Sequence, residues 1–260
     1  MSNVRSAVRT LKIFEAFAAH GAPMTLSELS SNLQLPPSSC LLLIRTLLDR
    51  GYLYATGRRN AYYPTRRVVD VARVIARNDP VIERFQPHLE HLRAATNETV
   101  TLAKRQRDKL IYLAVAESPQ IVRVSAAAGT LRPLHSTATG KALLGALPES
   151  ERNQVLADIA LERLTGRTII SVDDLELSLC DAERRGYAVN SGEAVADLSA
   201  VAIALEIDDE VFAITVMGPS YRVDPMMETY GRALVDYGHV IEKAMSSHTD
   251  GVASISGSEW

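Results

Sequence analysis

The sequence holds two cysteines in 260 residues, Cys40 and Cys180. They lie far apart, and Cys40 sits in the apolar run Cys40-Leu41-Leu42-Leu43-Ile44. No disulfide framework and no cysteine-based metal pattern follows, which suits a reducing cytoplasm. No run approaches the ~18 apolar residues of a membrane-spanning helix, so no membrane partner is expected. The start, MSNVRSAVRT, lacks the apolar core of an export signal, and no export is expected. Catalytic and nucleotide-binding signatures are missing too. There is no G-x-S-x-G elbow and no P-loop, and GYAVNSG does not satisfy G-x-G-x-x-G. His88 and His91 stand three apart on a predicted helix without a further histidine or cysteine motif. They read as part of a solvated helix face, and no metal or cofactor is expected. His135 follows Pro133-Leu134 near Ser125 and Ser136, and a lone histidine in a turn reads first as a structural residue.

What is present is ample apolar material, 47% of the chain, with mean hydropathy near zero. That describes a globular protein with enough core for one large domain or two ordinary ones. The formal net charge of -3 hides an asymmetry. Residues 1–77 carry eleven cations against Glu15, Glu28, Asp49 and Asp70, a net of +7, which leaves -10 for the remainder. A basic first third on an acidic remainder suggests a nucleic-acid-binding module joined to a part that does not bind nucleic acid.

The first third is patterned accordingly. Residues 4–20 carry Val8, Leu11, Ile13, Phe14 and Phe17 at helical spacing, and Gly21 stops them. Thr25 predicts the cap of a helix over 26–33, with Glu28 completing a capping box. Gln34-Leu35-Pro36 is a tight turn, and Pro37 suits the first turn of a helix ending before Gly51. YLYATGRRNAYYPT then predicts a β-hairpin with Arg58 and Arg59 at its tip. Helix, helix, turn, helix and hairpin is the order of a winged helix-turn-helix, and the basic tip argues against a purely structural subdomain.

Residues 65–97 look helical with a break at Pro80. Beyond 98 the pattern changes. ETVTLAKRQ and KLIYLAVAE predict paired strands turning at Arg107-Asp108, and IVRVSA predicts a third. Helices near 138–147, 149–157 and 173–185 follow, then strands in YAVNSG, AVAIALEI and VFAITVMG, the last two joined at Asp208-Asp209-Glu210, and a helix near 225–245. The expected fold is α+β, with a winged helix-turn-helix over 1–64, a linker helix over 65–80, an effector-type α/β domain with a mainly antiparallel sheet over 81–246, and a small polar tail over 247–260 expected to be disordered.

On the helix after Pro36, a rotation of 100° per residue puts Cys40, Leu43, Ile44, Leu47 and Leu48 on one face. Ser38, Leu42, Arg45, Thr46 and Asp49 fall opposite, and Leu41 lies at the boundary. The outer face offers Ser38, Ser39, Arg45 and Thr46 to phosphates or base edges, while Leu42 offers only an apolar contact, for instance to a thymine methyl. A groove helix so poor in polar groups is expected to rely on backbone contacts and DNA shape. Arg5 and Arg9, one turn apart, and Arg58 and Arg59 on the wing are the candidate backbone contacts.

Two stretches together carry a family resemblance. The segment VRSAVRTLKIFEAFAAHGAPMTLSELSSNLQLPPSSCLLLIRTLLDRGYLYATGRRNAYYPT resembles the N-terminal winged helix of the IclR family of bacterial transcription regulators. AAAGTLRPLHSTATGKALLGALPESER resembles that family's effector-domain signature, and LERLTGRTIISVDDLELSLCDAERRGYAVNSGE and ITVMGPSYRV follow in the same order. The resemblance covers about residues 4–245. It implies dimers, often paired into tetramers, that bind pseudo-palindromic promoter DNA and respond to a small metabolite. It implies effector-pocket positions at Val124, Arg132, Ala138, Thr139, Asn190, Leu198, Ala200, Thr215 and Met217. Leu41 and Leu42 depart from the basic or aromatic residues common on the recognition helix. Asp197, Ala200, Thr215 and Met217 depart from the usual residues in or near the pocket.

HSTATGKALLGAL places Thr137, Thr139 and Gly140 at a helix start, where free N–H groups suit a carboxylate and small residues allow close approach. Arg132 or Asn190 would be a second polar anchor. The function expected is a ligand-responsive regulator and not an enzyme, with repression as the default sign and double-stranded promoter DNA, a small metabolite and a second copy of the chain as partners. Its rivals are a metabolite-binding enzyme whose N-terminal module serves assembly, and a nucleoid-type DNA binder.

Overall fold

The computed structural model describes residues 4–57 and 60–246. Arg58, Arg59 and the tail from 247 lie outside the described residues. The chain folds as two compact units, with the boundary between Asp79 and Pro80.

The first unit opens with α1 (Arg5–His20), which ends where Gly21 takes a left-handed backbone (φ 68°) and donates to Phe17 O. Strand β1 (Met24–Thr25) precedes α2 (Leu26–Asn32). The capping box forms, with Glu28 N–H donating to Thr25 Oγ1 and Thr25 N–H donating to Glu28 Oε2 at 2.7 Å. Helix α3 (Pro37–Asp49) follows, then β2 (Leu53–Thr56) and β3 (Ala61–Pro64). The wing has a third strand that the sequence pattern did not reveal: β1 pairs with β3 through Met24↔Tyr62 and Thr25↔Ala61. Two residues are too few to show an alternating pattern. Ile13, Phe17, Leu29, Cys40, Ile44 and Leu53 form the core of this unit, and Phe17 meets Tyr63 edge-on at 5.9 Å. Helix α4 (Arg67–Arg77) closes the unit and buries none of its residues, although Val68, Val71, Ala72 and Ile75 form a stripe at helical spacing.

The second unit begins at α5 (Pro80–Thr96), with Pro80 in the first turn, where its missing N–H costs nothing. A six-stranded, wholly antiparallel sheet follows, built from β4 (Thr99–Gln106), β5 (Lys109–Ala116), β6 (Leu131–Pro133), β7 (Ala188–Ser191), β8 (Leu198–Ile207) and β9 (Glu210–Pro219) in the order β6-β5-β4-β9-β8-β7. Asp208 and Asp209 both take positive φ (53° and 62°), as the tight β8–β9 hairpin requires. IVRVSA is not a strand. Ile121 is 95% exposed, and the edge of β5 is taken by β6 through Lys109↔Pro133 to Ile111↔Leu131. The 121–126 segment is instead held by Thr99, whose hydroxyl donates to Val124 O at 2.7 Å.

The helices are α6 (Ala138–Gly145), α7 (Glu149–Asp158), α8 (Val172–Arg185), the short α9 (Ser220–Val223) and α10 (Met227–Ser246). One sheet face carries Val100, Leu102, Val201, Ile203, Ile214 and Val216 and packs on α5 and α10. The other carries Ala103, Ala200, Ala202, Ala213 and Met217 and packs on α6 and α8. Branched residues fill the first interface. Alanines on the second let α6 lie close to the strands and leave room for a cleft beside it. No helix among the described residues is long and apolar enough to cross a membrane.

Candidate functional site

The outer surface of α3 is the candidate nucleic-acid interface. Cys40, Ile44 and Leu47 are buried, and Leu43 and Leu48 are half-buried. Ser38, Leu42, Arg45 and Thr46 are exposed and Ser39 is half-buried, so a helix that looks almost wholly apolar does present a distinct outer face. Leu42 is 67% exposed. Thr46 donates its hydroxyl hydrogen to Leu42 O at 3.0 Å, so toward a base it can offer only acceptor lone pairs and a methyl group. The α3 N-terminus begins at Pro36–Pro37 with no side-chain cap. Beside the turn that precedes it, Arg5, Arg9 and Lys12 of α1 line a groove with Leu33, Gln34 and Leu35. Arg58 and Arg59 lie outside the described residues.

The second unit holds the candidate ligand site. A cleft between the N-terminal end of α6 and the sheet encloses about 580 Å³ of atom-free space, its open mouth included. Val124, Arg132, Ala138, Thr139, Asn190, Leu198, Ala200, Thr215 and Met217 all line it. Their positions in sequence span almost a hundred residues, and the antiparallel register gathers them: Asn190 pairs with Ala200, Ala200 with Met217, and Thr215 of β9 with Thr101 of β4.

Gly140 is the exception and corrects the expectation. It does not line the cleft. A Cβ built on it would lie 2.2 Å from Leu134 O, so its missing side chain lets α6 rest on the Leu134 backbone and opens no approach for a ligand. Thr137 caps α6 by accepting from Gly140 N–H at 3.0 Å and lines the cleft as well. Asp197, a departure from the family pattern, also lies away from the lining; its carbonyl accepts from Ser220 N–H.

A few polar groups interrupt a mostly apolar wall. Thr139 Oγ1 and Thr215 Oγ1 are hydrogen-bonded at 2.7 Å. Tyr112 lies against Thr139; burial pushes its phenol above the ordinary value, opposed by the Arg132 charge and the contact with Thr139. Arg132 is exposed and makes no ion pair among the described residues. Asn190 is buried, and its Oδ1 accepts from Glu193 N–H at 2.9 Å, which leaves its amide N–H₂ as the group to present. The pattern is rich in donors, and nothing in it resembles a nucleophile with its base. His135 is fully buried and donates from Nε2 to Glu162 O at 3.0 Å, the structural role expected of it. His88 needs a correction, because it is half-buried, whereas His91 is exposed as a solvated face requires. His88 Nδ1 lies 3.1 Å from Tyr237 Oη, and His91 stacks on the same ring at 4.6 Å. No group of three metal-ligating side chains occurs among the described residues.

Sequence reasoning missed Tyr112, Leu164, Ala194 and Val195, which also line the cleft. Alternation along β5 could have found Tyr112, since Leu110 and Tyr112 share the cleft-side core. The other three lie in irregular segments, where no periodicity marks the inward side chain.

Comparison with known proteins decides the family. Residues 73–241 match the profile described as bacterial transcriptional regulator IclR C-terminal, and residues 6–57 match the IclR helix-turn-helix domain. The chain belongs to the IclR family of bacterial transcription regulators. It is 28% identical over 219 residues to the HTH-type transcriptional repressor AllR of Klebsiella pneumoniae, covering 84% of this chain and 80% of that one. The IclR of Thermotoga maritima shares the fold with a TM-score of 0.78 at 20% identity, covering 94% of this chain and 99% of that one. An IclR homolog from Microbacterium hydrocarbonoxydans, solved in complex with 4-hydroxybenzoate, has a TM-score of 0.74 at 21% identity over 93% of this chain and 99% of its own. This IclR-family chain is a transcription regulator with a helix-turn-helix domain, not an enzyme.

Proposed function

We propose that this regulator is a cytoplasmic, ligand-responsive repressor that binds promoter DNA as a dimer or tetramer and answers to a small carboxylate. The observation that carries the ligand class is the cleft. Its walls are Ala138, Ala200, Leu198, Val124 and Met217, and its polar groups include the Arg132 guanidinium, without an ion pair among the described residues, the Asn190 amide and the first turn of α6. Donors facing an apolar chamber fit an anion on a compact organic frame. The 4-hydroxybenzoate held by the Microbacterium homolog is a molecule of that class. Repression as the sign rests on the name of the AllR relatives. The α4 stripe of Val68, Val71, Ala72 and Ile75 fits a contact between two copies.

DNA binding would use Ser38, Ser39, Leu42, Arg45 and Thr46 in the groove, with Arg5, Arg9, Arg58 and Arg59 on phosphates. A ligand with unequal affinity for two conformations would shift the balance between them and, with it, operator binding. Isothermal titration with 4-hydroxybenzoate, benzoate and small aliphatic acids, each beside its uncharged amide, tests the ligand class. Binding of at least one acid but not its amide supports it. Binding of the amides alone contradicts it.

A further inference from the structure

Two stretches without helix or strand, 159–171 and 192–197, supply Leu164, Ala194 and Val195 to the cleft wall. They meet at Glu193. Its N–H donates to Asn190 Oδ1 at 2.9 Å, and its carbonyl accepts from Thr168 Oγ1 at 2.7 Å. Next to it, Thr165 Oγ1 donates to Gly192 O at 2.6 Å. The Glu193 side chain then crosses to α6, where Oε1 accepts from Lys141 Nζ at 2.6 Å. Lys141 is 1% exposed, and its further contact is Ser178 Oγ at 3.4 Å. It stands two residues after Thr139, which lines the same cleft. One buried ion pair therefore ties the helix at the inner end of the cleft to both irregular segments of its wall.

A pair of this kind is a poor device for stability. Charges taken out of water are costly, and their attraction repays that cost only when the remaining hydrogen-bonding sites are filled. Here Glu193 Oε2 has no partner among the described residues. What the pair does supply is direction, because a short charge-assisted bond fixes one position where apolar contacts would tolerate several.

We infer that Lys141 and Glu193 are positioning residues of the cleft. Through Glu193 the pair holds Asn190 with its N–H₂ toward the chamber, a donor that selects an acceptor on the ligand. It also keeps the 159–171 and 192–197 wall shut over that ligand. This rests on the reading of the cleft as a ligand site, so the test uses no ligand and stands apart from the acid titration.

Hydrogen exchange is followed by mass spectrometry on the full chain and on three variants: Glu193→Gln, Lys141→Met and the two combined. The expected result is exchange at least tenfold faster in peptides covering 159–171 and 192–198 in all three, with β9 and α10 unchanged. The double variant carries no uncompensated buried charge, so its urea midpoint recovers toward the parent while its wall stays loose. Unchanged exchange in the wall peptides overturns the inference. So does restored protection in the double variant, because the single variants would then have reported only an unpaired charge. A loss spread evenly over the sheet overturns it as well.

Discussion

Thr139 on α6 and Thr215 on β9 hold each other by a hydroxyl–hydroxyl hydrogen bond of 2.7 Å, with both side chains almost fully buried. The bond sets the start of α6 against the sheet at the floor of the cleft. Thr215→Val keeps the shape and removes the partner. Tyr112 stays against Thr139, so the loss is that of one hydrogen bond, about 1 kcal/mol. Urea unfolding of the variant is expected to show that loss with an unchanged slope, and a midpoint equal to the parent's would deny the bond any weight.

Gly140 permits the contact between α6 and the Leu134 backbone. The atom that a side chain would strike is a main-chain carbonyl oxygen, which cannot swing aside. Gly140→Ala should therefore cost about 3 kcal/mol, the upper range for overpacking, despite alanine's better helix propensity. A Gly145→Ala control, where nothing lies within 4 Å of the new methyl, should be neutral or stabilising. Equal effects at the two positions would contradict the packing argument.

Burial lowers the His135 pKa below its ordinary value, and the hydrogen bond to Glu162 O only partly opposes this. The unfolded chain then binds a proton more readily than the folded one. Stability is thus fully present above the unfolded pKa of about 6.5 and falls as the pH drops from there toward the lower folded value. Urea midpoints measured from pH 8 to pH 5 should show the fall. His135→Gln, which keeps a donor for Glu162 O, should flatten it in part, leaving a contribution from His88, whose pKa burial also lowers. Identical slopes in parent and variant would assign the pH dependence elsewhere.

On the DNA side, Leu42 and the α1 arginines should separate cleanly. Leu42→Ala is expected to weaken binding to operator DNA about tenfold, within the range of one base-pair contact, and to leave scrambled DNA unaffected. Arg5→Ala with Arg9→Ala should weaken both DNAs alike and reduce the slope of log K against log salt by about 1 to 2. Equal losses on both DNAs for Leu42→Ala would show that the residue reads no sequence.

Much of this molecule was legible before its structure. Helix caps are local chemistry, so Thr25 with Glu28, Gly21 and Pro37 marked their helices. The outer face of α3 followed from rotation alone. Nine of the cleft residues were named through family resemblance, and no periodicity could have joined Val124 to Met217 across the sheet. IVRVSA failed because an apolar alternation shows what a segment could bury, not whether a strand edge is free to receive it. Gly140 was assigned to a ligand where the Leu134 backbone stands. Leu164 and Val195 were invisible because irregular segments point side chains by tertiary contacts, here those gathered at Glu193.

The most direct test of a ligand-responsive DNA-binding regulator is fluorescence anisotropy of the full chain with DNA from upstream of its own and neighbouring genes. Scrambled DNA serves as the control, over a salt series, with and without the acid panel. The expected result is selective binding that weakens log-linearly with salt and shifts when one acid is added. Equal binding to both DNAs, unmoved by any acid that the cleft binds, would contradict it.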